Sequence, residues 1–182
     1  MERKYKLTDE CMQYEGHKLY RIQSLRSFSN VKEGELGGYI ESEDNLSHDG
    51  MCWVYEEAKV FGNAEVRGNA EVSGDAKVFD HAYVLGNAEV RGEAKVYGKA
   101  EVSGDAKVYK NGDYIVFKNW WSSGRYFTWT RSNNKWRVGC FWGTGAELIN
   151  KAYEDSELSG REYERVVKYV ESILADENAQ KK

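Results

Sequence analysis

The chain has 182 residues and a formal net charge of −4, which argues against general nucleic-acid binding by the whole molecule. No apolar run is long enough to cross a membrane, and the polar, charged stretch from Met1 to Glu10 does not read as a signal peptide. Cys11, Cys52 and Cys140 show no metal-ligand spacing and leave one thiol over in any disulfide scheme, so a reducing cytoplasm is expected.

Residues 1–35 read as a β-rich cap. The segment Lys4 to Tyr14 pairs with Lys18 to Leu25 across a turn at Glu15-Gly16-His17. Glu33-Gly34-Glu35-Leu36-Gly37-Gly38-Tyr39-Ile40 then leads into residues 36–112, where the composition becomes periodic. Valine recurs every six residues from Val54 to Val108, and alanine follows four residues after each valine but the last, from Ala58 to Ala106. Glycine fills most of the turn positions between, at Gly62, Gly68, Gly74, Gly86, Gly92, Gly98 and Gly104. A helix face needs a period near 3.6 and a hairpin strand a period of two, so an unbroken six specifies short parallel strands joined by tight turns. Ile40, Leu46 and Cys52 fall in phase with the alanine column, which predicts an irregular first coil from Leu36.

This pattern resembles the hexapeptide-repeat family, whose repeats set an aliphatic residue at one position and a small one four later. Three hexapeptides make an 18-residue coil, and the sequence favours that register. A step of 18 aligns Phe61, Phe79 and Tyr97, and likewise Lys59, Lys77 and Lys95, whereas a step of 24 mixes residue types. The expected fold is a left-handed parallel β-helix, with coils about 4.8 Å apart. One wall would carry Lys59, Phe61, Lys77, Phe79, Lys95 and Tyr97 outward as a stacked apolar surface. The resemblance implies assembly through such a wall into a homo-oligomer, with a trimer favoured. LYRIQSL, GELGGYIE and NLSHDG between Leu19 and Ala58 also resemble bacteriophage and prophage proteins of unassigned function.

After Lys110-Asn111-Gly112-Asp113 the repeat ends, and residues 113–182 read as a small α+β domain. Strands are expected at 114–121, 125–131 and 135–142. A first helix follows Gly143-Thr144-Gly145, and a second is capped by Ser159 with Glu162. In the second helix Tyr163, Val166, Val167, Val170, Ile173 and Leu174 form one apolar stripe. The whole is a mainly β protein with a β-β-β-α-α domain on its C-terminal end. By strand alternation Cys140 shares a face with Trp136, Val138 and Trp142, which predicts a buried thiol.

The enzymes of the hexapeptide class bring either a catalytic histidine with a protruding loop or three metal-binding histidines. This chain has only His17, His48 and His81; 48 and 81 differ by 33, not a multiple of 18, and no loop interrupts Val54 to Val108. His81 occupies a turn slot held elsewhere by asparagine, so it reads as a solvated corner residue. No catalytic residue, metal or cofactor is expected, and a non-enzymatic binding protein is the leading reading.

Its recognition surface would be the C-terminal sheet. Lys118, Arg125, Arg131, Lys135 and Arg137 face only Asp113 between residues 113 and 145, an excess of +4. Arg125, Trp129, Arg131, Arg137 and Phe141 are therefore candidates for binding a host protein or an anionic, nucleotide-like ligand through stacking and paired hydrogen bonds. Given the phage-like resemblance, a counter-defence role by binding or sequestering that partner is expected. A hexapeptide acyltransferase with a site between subunits and a purely structural phage component are the alternatives.

Overall fold

The computed structural model describes residues 3–180. It opens with an antiparallel hairpin, β1 (Tyr5–Tyr14) and β2 (His17–Ser24), turning at Glu15 and Gly16, both at positive φ. β3 (Leu36–Ile40) pairs antiparallel with β2 and then parallel with Lys59–Val60, the second of the repeat strands, so hairpin and helix share one sheet. Ten two-residue strands follow: β4 (Trp53–Val54), β5 (Lys59–Val60), β6 (Glu65–Val66), β7 (Glu71–Val72), β8 (Lys77–Val78), β9 (Tyr83–Val84), β10 (Glu89–Val90), β11 (Lys95–Val96), β12 (Glu101–Val102) and β13 (Lys107–Val108).

They stack as three parallel walls, β3-β5-β8-β11, β6-β9-β12 and β4-β7-β10-β13, with Lys59↔Lys77↔Lys95 in register on the first. The 18-residue coil is therefore the repeat of a hexapeptide-repeat β-helix of four coils. Every valine and alanine of the two columns is fully buried. Asp80 and Glu56 occupy glycine slots at positive φ, and each carboxylate accepts the N–H of the next coil's glycine: Gly98 at 3.0 Å and Gly74 at 2.5 Å. The strain of a left-handed side-chain residue is thereby offset by a hydrogen bond between coils.

The first coil departs from the expected phase. Ile40 pairs with Val60 and Leu46 bridges Val66, twenty residues apart, so both occupy valine rather than alanine positions. Two extra residues in the Ser47–Cys52 stretch absorb the difference, and Val54↔Val72 restores the spacing of 18.

Both open ends are covered. At the first, Trp53 is fully buried, with Tyr5 and Phe28 edge-on to it at 6.1 and 5.4 Å. Beside them the buried Lys4 ammonium donates to the Cys52 carbonyl at 2.8 Å and lies 3.2 Å from its Sγ. Burial pushes this ammonium below its ordinary 10.5, and the Cys52 side chain opposes that only in part. Burial also pushes Tyr55 and Tyr114 up to about 12, from 10.0. The signs differ. An unfolded Lys4 binds its proton more tightly than a folded one, so stability rises with pH on the way to 10.5. Unfolded tyrosines ionise first, so stability falls between 10 and about 12. Thermal unfolding against pH is expected to show this rise and fall. Lys4→Met should flatten the rise alone, and an unchanged slope would contradict the assignment.

At the far end the strand N–H groups of the last coil have no further coil to donate to. In the preceding coil, Lys77, Tyr83 and Glu89 donate to Ala94, Ala100 and Ala106. In the last, Lys95 donates to Asn111 Oδ1 at 3.0 Å, Glu101 to Thr128 Oγ1 at 2.9 Å, and Lys107 to Ser132 Oγ at 2.6 Å. Three side chains thus stand in for a missing coil. Thr128→Val keeps the shape but orphans a buried donor, and is expected to cost about 1–3 kcal/mol in urea unfolding. A loss under about 0.5 kcal/mol would show that the contact contributes little.

The terminal domain has four strands: β14 (Tyr114–Lys118), β15 (Tyr126–Thr130), β16 (Lys135–Val138) and β17 (Phe141–Gly143). The expected strand 135–142 is broken by a turn in which Gly139 takes φ +56, and Cys140 is exposed there rather than buried. α1 (Gly145–Asp155) is capped by Thr144 with Glu147, and α2 (Glu157–Gln180) follows. Ser159 lies inside α2 and is buried; its N–H is taken by Ser156 Oγ at 3.1 Å, so the expected cap sits three residues too late. Tyr163, Val167 and Val170 pack against Phe127, Trp129 and Trp136, with Val166 and Leu174 at the edge of that cluster. Among the described residues no helix is long and apolar enough to cross a membrane.

Candidate functional site at the coil corner

The aromatic column forms as expected. Phe61, Phe79 and Tyr97 stack face to face at 5.2 Å per step. Its first rung is not free for a partner subunit, however. The hairpin folds over it: Tyr14 meets Phe61 edge-on at 5.7 Å, and Lys59 lies under Tyr14 and Tyr39. Phe61 is 3% exposed and Lys59 8%, whereas Tyr97 is 49% exposed and Lys95 lies open. Phe79 and Lys77 are intermediate, with Lys77 also against Tyr14. Phe61 and Lys59 are thus internal contacts, because the hairpin continues the same sheet and its apolar side must be buried.

The aromatic–arginine surface expected on the C-terminal sheet does not exist as a face. Trp129 is 1% exposed, since β15 is packed on one side by the helices and on the other by the last coil. Arg131 makes a two-pronged pair with Glu177 at 2.6 and 3.1 Å, and Arg137 Nε meets Glu101 at 3.1 Å. Phe141 packs partly buried against the domain core. Arg125 alone of the five candidates stays exposed without an ion pair among the described residues.

What the fold assembles instead is a corner. The hairpin turn delivers His17 beside Glu41, which follows β3. Its Nδ1 lies 3.0 Å from both carboxylate oxygens, and the ring is tilted against Phe61 at 5.0 Å. Glu41 Oε2 also accepts the Gly62 N–H at 2.7 Å. Burial works to raise this carboxyl, but the hydrogen bonds from His17 and Gly62 and the imidazole's charge outweigh it and hold Glu41 below the usual carboxylate range. His17 lines a cleft of about 420 Å³ with Asn63, Asp80, His81 and Lys99. Asn63, His81 and Lys99 are one corner column at steps of 18. His81 is therefore a cleft residue, and the column could have shown its neighbours in the sequence; His17 lies outside the repeat and carried no such signal.

A histidine whose Nδ1 is held by a carboxylate has a fixed tautomer and one nitrogen left to exchange protons. Nε2 of His17 makes no bond among the described residues. A second cleft of about 360 Å³ adjoins, sharing His81 and Lys99 and closed on its far side by Arg125 and Tyr126. His48 is not part of either; it stacks on Tyr5 at 4.3 Å, and its Nδ1 accepts the Lys4 N–H at 3.2 Å.

No family model matches the chain. Over 71 residues it is 37% identical to the uncharacterized acetyltransferase YdcK of Escherichia coli (strain K12), an overlap of 34% of this chain and 22% of that protein. The chain thus matches only about a fifth of that relative's length. The expectation of a non-enzymatic protein is overturned by this likeness together with the hexapeptide-repeat fold, which point to a possible enzyme.

Proposed function

We propose that the chain transfers an acyl group from a thioester to an amine or hydroxyl, with the corner cleft as the site. The observation that carries this is the His17–Glu41 pair at the mouth of that cleft. His17 Nε2 takes the proton of the attacking nucleophile as it adds to the thioester carbonyl. The tetrahedral intermediate expels the thiolate, which takes the proton back from the imidazolium. Glu41 is the positioning residue: it keeps the hydrogen on Nδ1 and stabilises the transient positive ring. The name of the Escherichia coli relative supports acyl transfer as the reaction class. The folded-over hairpin supports it too, because it brings a histidine to the coil surface where no loop within the repeats could.

Copies of the chain would meet as a trimer through the uncovered part of the wall, Lys95 and Tyr97. Three unpaired cysteines suit a cytoplasmic setting. In the phage context suggested by the Leu19 to Ala58 stretch, the acceptor would be a host factor or a small nucleotide signal that is modified rather than sequestered. The test is thiol release from acetyl-coenzyme A by the pure protein with a panel of amine and hydroxyl acceptors. Thiol release above the uncatalysed rate supports the reading, and its absence across the panel overturns it.

A further inference from the structure

Arg125 stands apart from the other arginines of its domain. Of the five arginines after residue 112, Arg131, Arg137, Arg161 and Arg165 each meet a carboxylate within 4 Å, and Arg125 meets none among the described residues. Its guanidinium lies across the turn at Gly139, where an added Cβ would fall 2.6 Å from Nη1. The turn and the arginine are thus fitted to each other. Lys99, from the coil corner, lines one cleft with Arg125, and Lys118 reaches the Tyr126 ring from β14. The two ammonium groups sit 5.2 and 5.7 Å from the centre of the Tyr126 ring. Neither has a carboxylate partner among the described residues. The one acid in the cleft, Glu101, is already paired with Arg137.

Two ammonium groups against one ring, with a guanidinium lining the same cleft as one of them, are left without a neutralising acid in a chain with an excess of acidic residues. The ring itself stabilises an ammonium only modestly. We infer that Lys99 and Arg125 form a subsite for a phosphate-bearing ligand in the cleft they line between the last coils and the terminal sheet, with Lys118 beside it on β14. A diphosphate suits it best: its several charged oxygens answer separate cations, and the guanidinium fork matches two of them at once. A single carboxylate would satisfy one cation and leave the others. Because this cleft shares His81 and Lys99 with the His17 cleft, a molecule anchored here reaches the imidazole. That connection rests on the function proposed above; the anion site does not.

Calorimetric titration at low salt with inorganic pyrophosphate and with coenzyme A separates the two. Lys99→Glu and Arg125→Glu are expected to weaken pyrophosphate binding tenfold or more. Lys6→Glu, an equal charge change at an exposed position on β1, should leave it unaltered. Arg125→Lys should keep part of the affinity, and the melting temperature of each variant reports its fold. Absence of pyrophosphate binding by the unaltered protein overturns the inference, as does equal weakening by Lys6→Glu, which marks general electrostatics. If coenzyme A loses affinity in parallel and Arg125→Glu raises KM with kcat unchanged, the phosphates belong to the thioester donor. If only pyrophosphate responds, the subsite stands and serves a free phosphorylated ligand. Binding intact with no turnover on any acceptor removes the acyl-transfer reading and leaves the anion site in place.

Discussion

His17→Ala is expected to reduce thiol release from acetyl-coenzyme A by roughly two to four orders of magnitude, the usual contribution of a positioned general base. The loss should fall on kcat, with little change in KM, because the imidazole acts on the travelling proton rather than on the bound donor. His17 is partly exposed and rests on one ring, so its removal leaves the fold intact. Glu41→Gln tests the other half of the pair. The amide keeps the size and can still accept the Gly62 N–H, but it carries no charge to stabilise an imidazolium. Its rate is expected to fall between those of the unaltered protein and His17→Ala. Full turnover in His17→Ala would remove the imidazole from the mechanism, whatever happened to Glu41→Gln.

Trp53→Ala is expected to destabilise the protein by about 3–5 kcal/mol, the range for deleting a buried tryptophan. Its slot in the coil is an outward one, aligned with Glu71. It is fully buried only because Tyr5 and Phe28 close over it. The substitution therefore opens the end of the solenoid and loosens the N-terminal segment with it. Trp120, 75% exposed, provides the contrast, and Trp120→Ala should change urea stability by no more than about 0.5 kcal/mol. Equal effects of the two would mean that the N-terminal plug contributes nothing.

The β-helix was legible because its period is imposed by geometry that repeats. Each valine has the same neighbours one coil up and one coil down, so ten valines in phase specify the walls, and the matched Lys59, Lys77 and Lys95 specify the step. Legibility failed wherever a single residue decided the outcome. Gly139 breaks a strand that alternation alone would continue. The longer Ser47–Cys52 stretch shifts Ile40 and Leu46 into the other column. At the sites the failure has a different cause. The partners of Arg131 and Arg137 are Glu177 and Glu101, 46 and 36 residues away, so a charge count over residues 113–145 registers the arginines and not their acids. His17 and Glu41 meet through an antiparallel register outside the repeat, which no step of 18 can reveal. Arg125 is legible from its local charge, and among the described residues it is the one candidate arginine that no carboxylate neutralises.

The two clefts take one wall of side chains from the hairpin at the start of the solenoid and the other from the domain at its end. The number of coils between therefore acts as a ruler. Adding or removing one 18-residue coil would move Arg125 relative to His17 by about 4.8 Å, with no intermediate setting available to the fold. Insertions that are not a multiple of six residues would break the valine phase, and those of six or twelve would turn the terminal domain onto another wall. The span between imidazole and guanidinium, and with it the length of molecule that could touch both, is thus quantised by the repeat count.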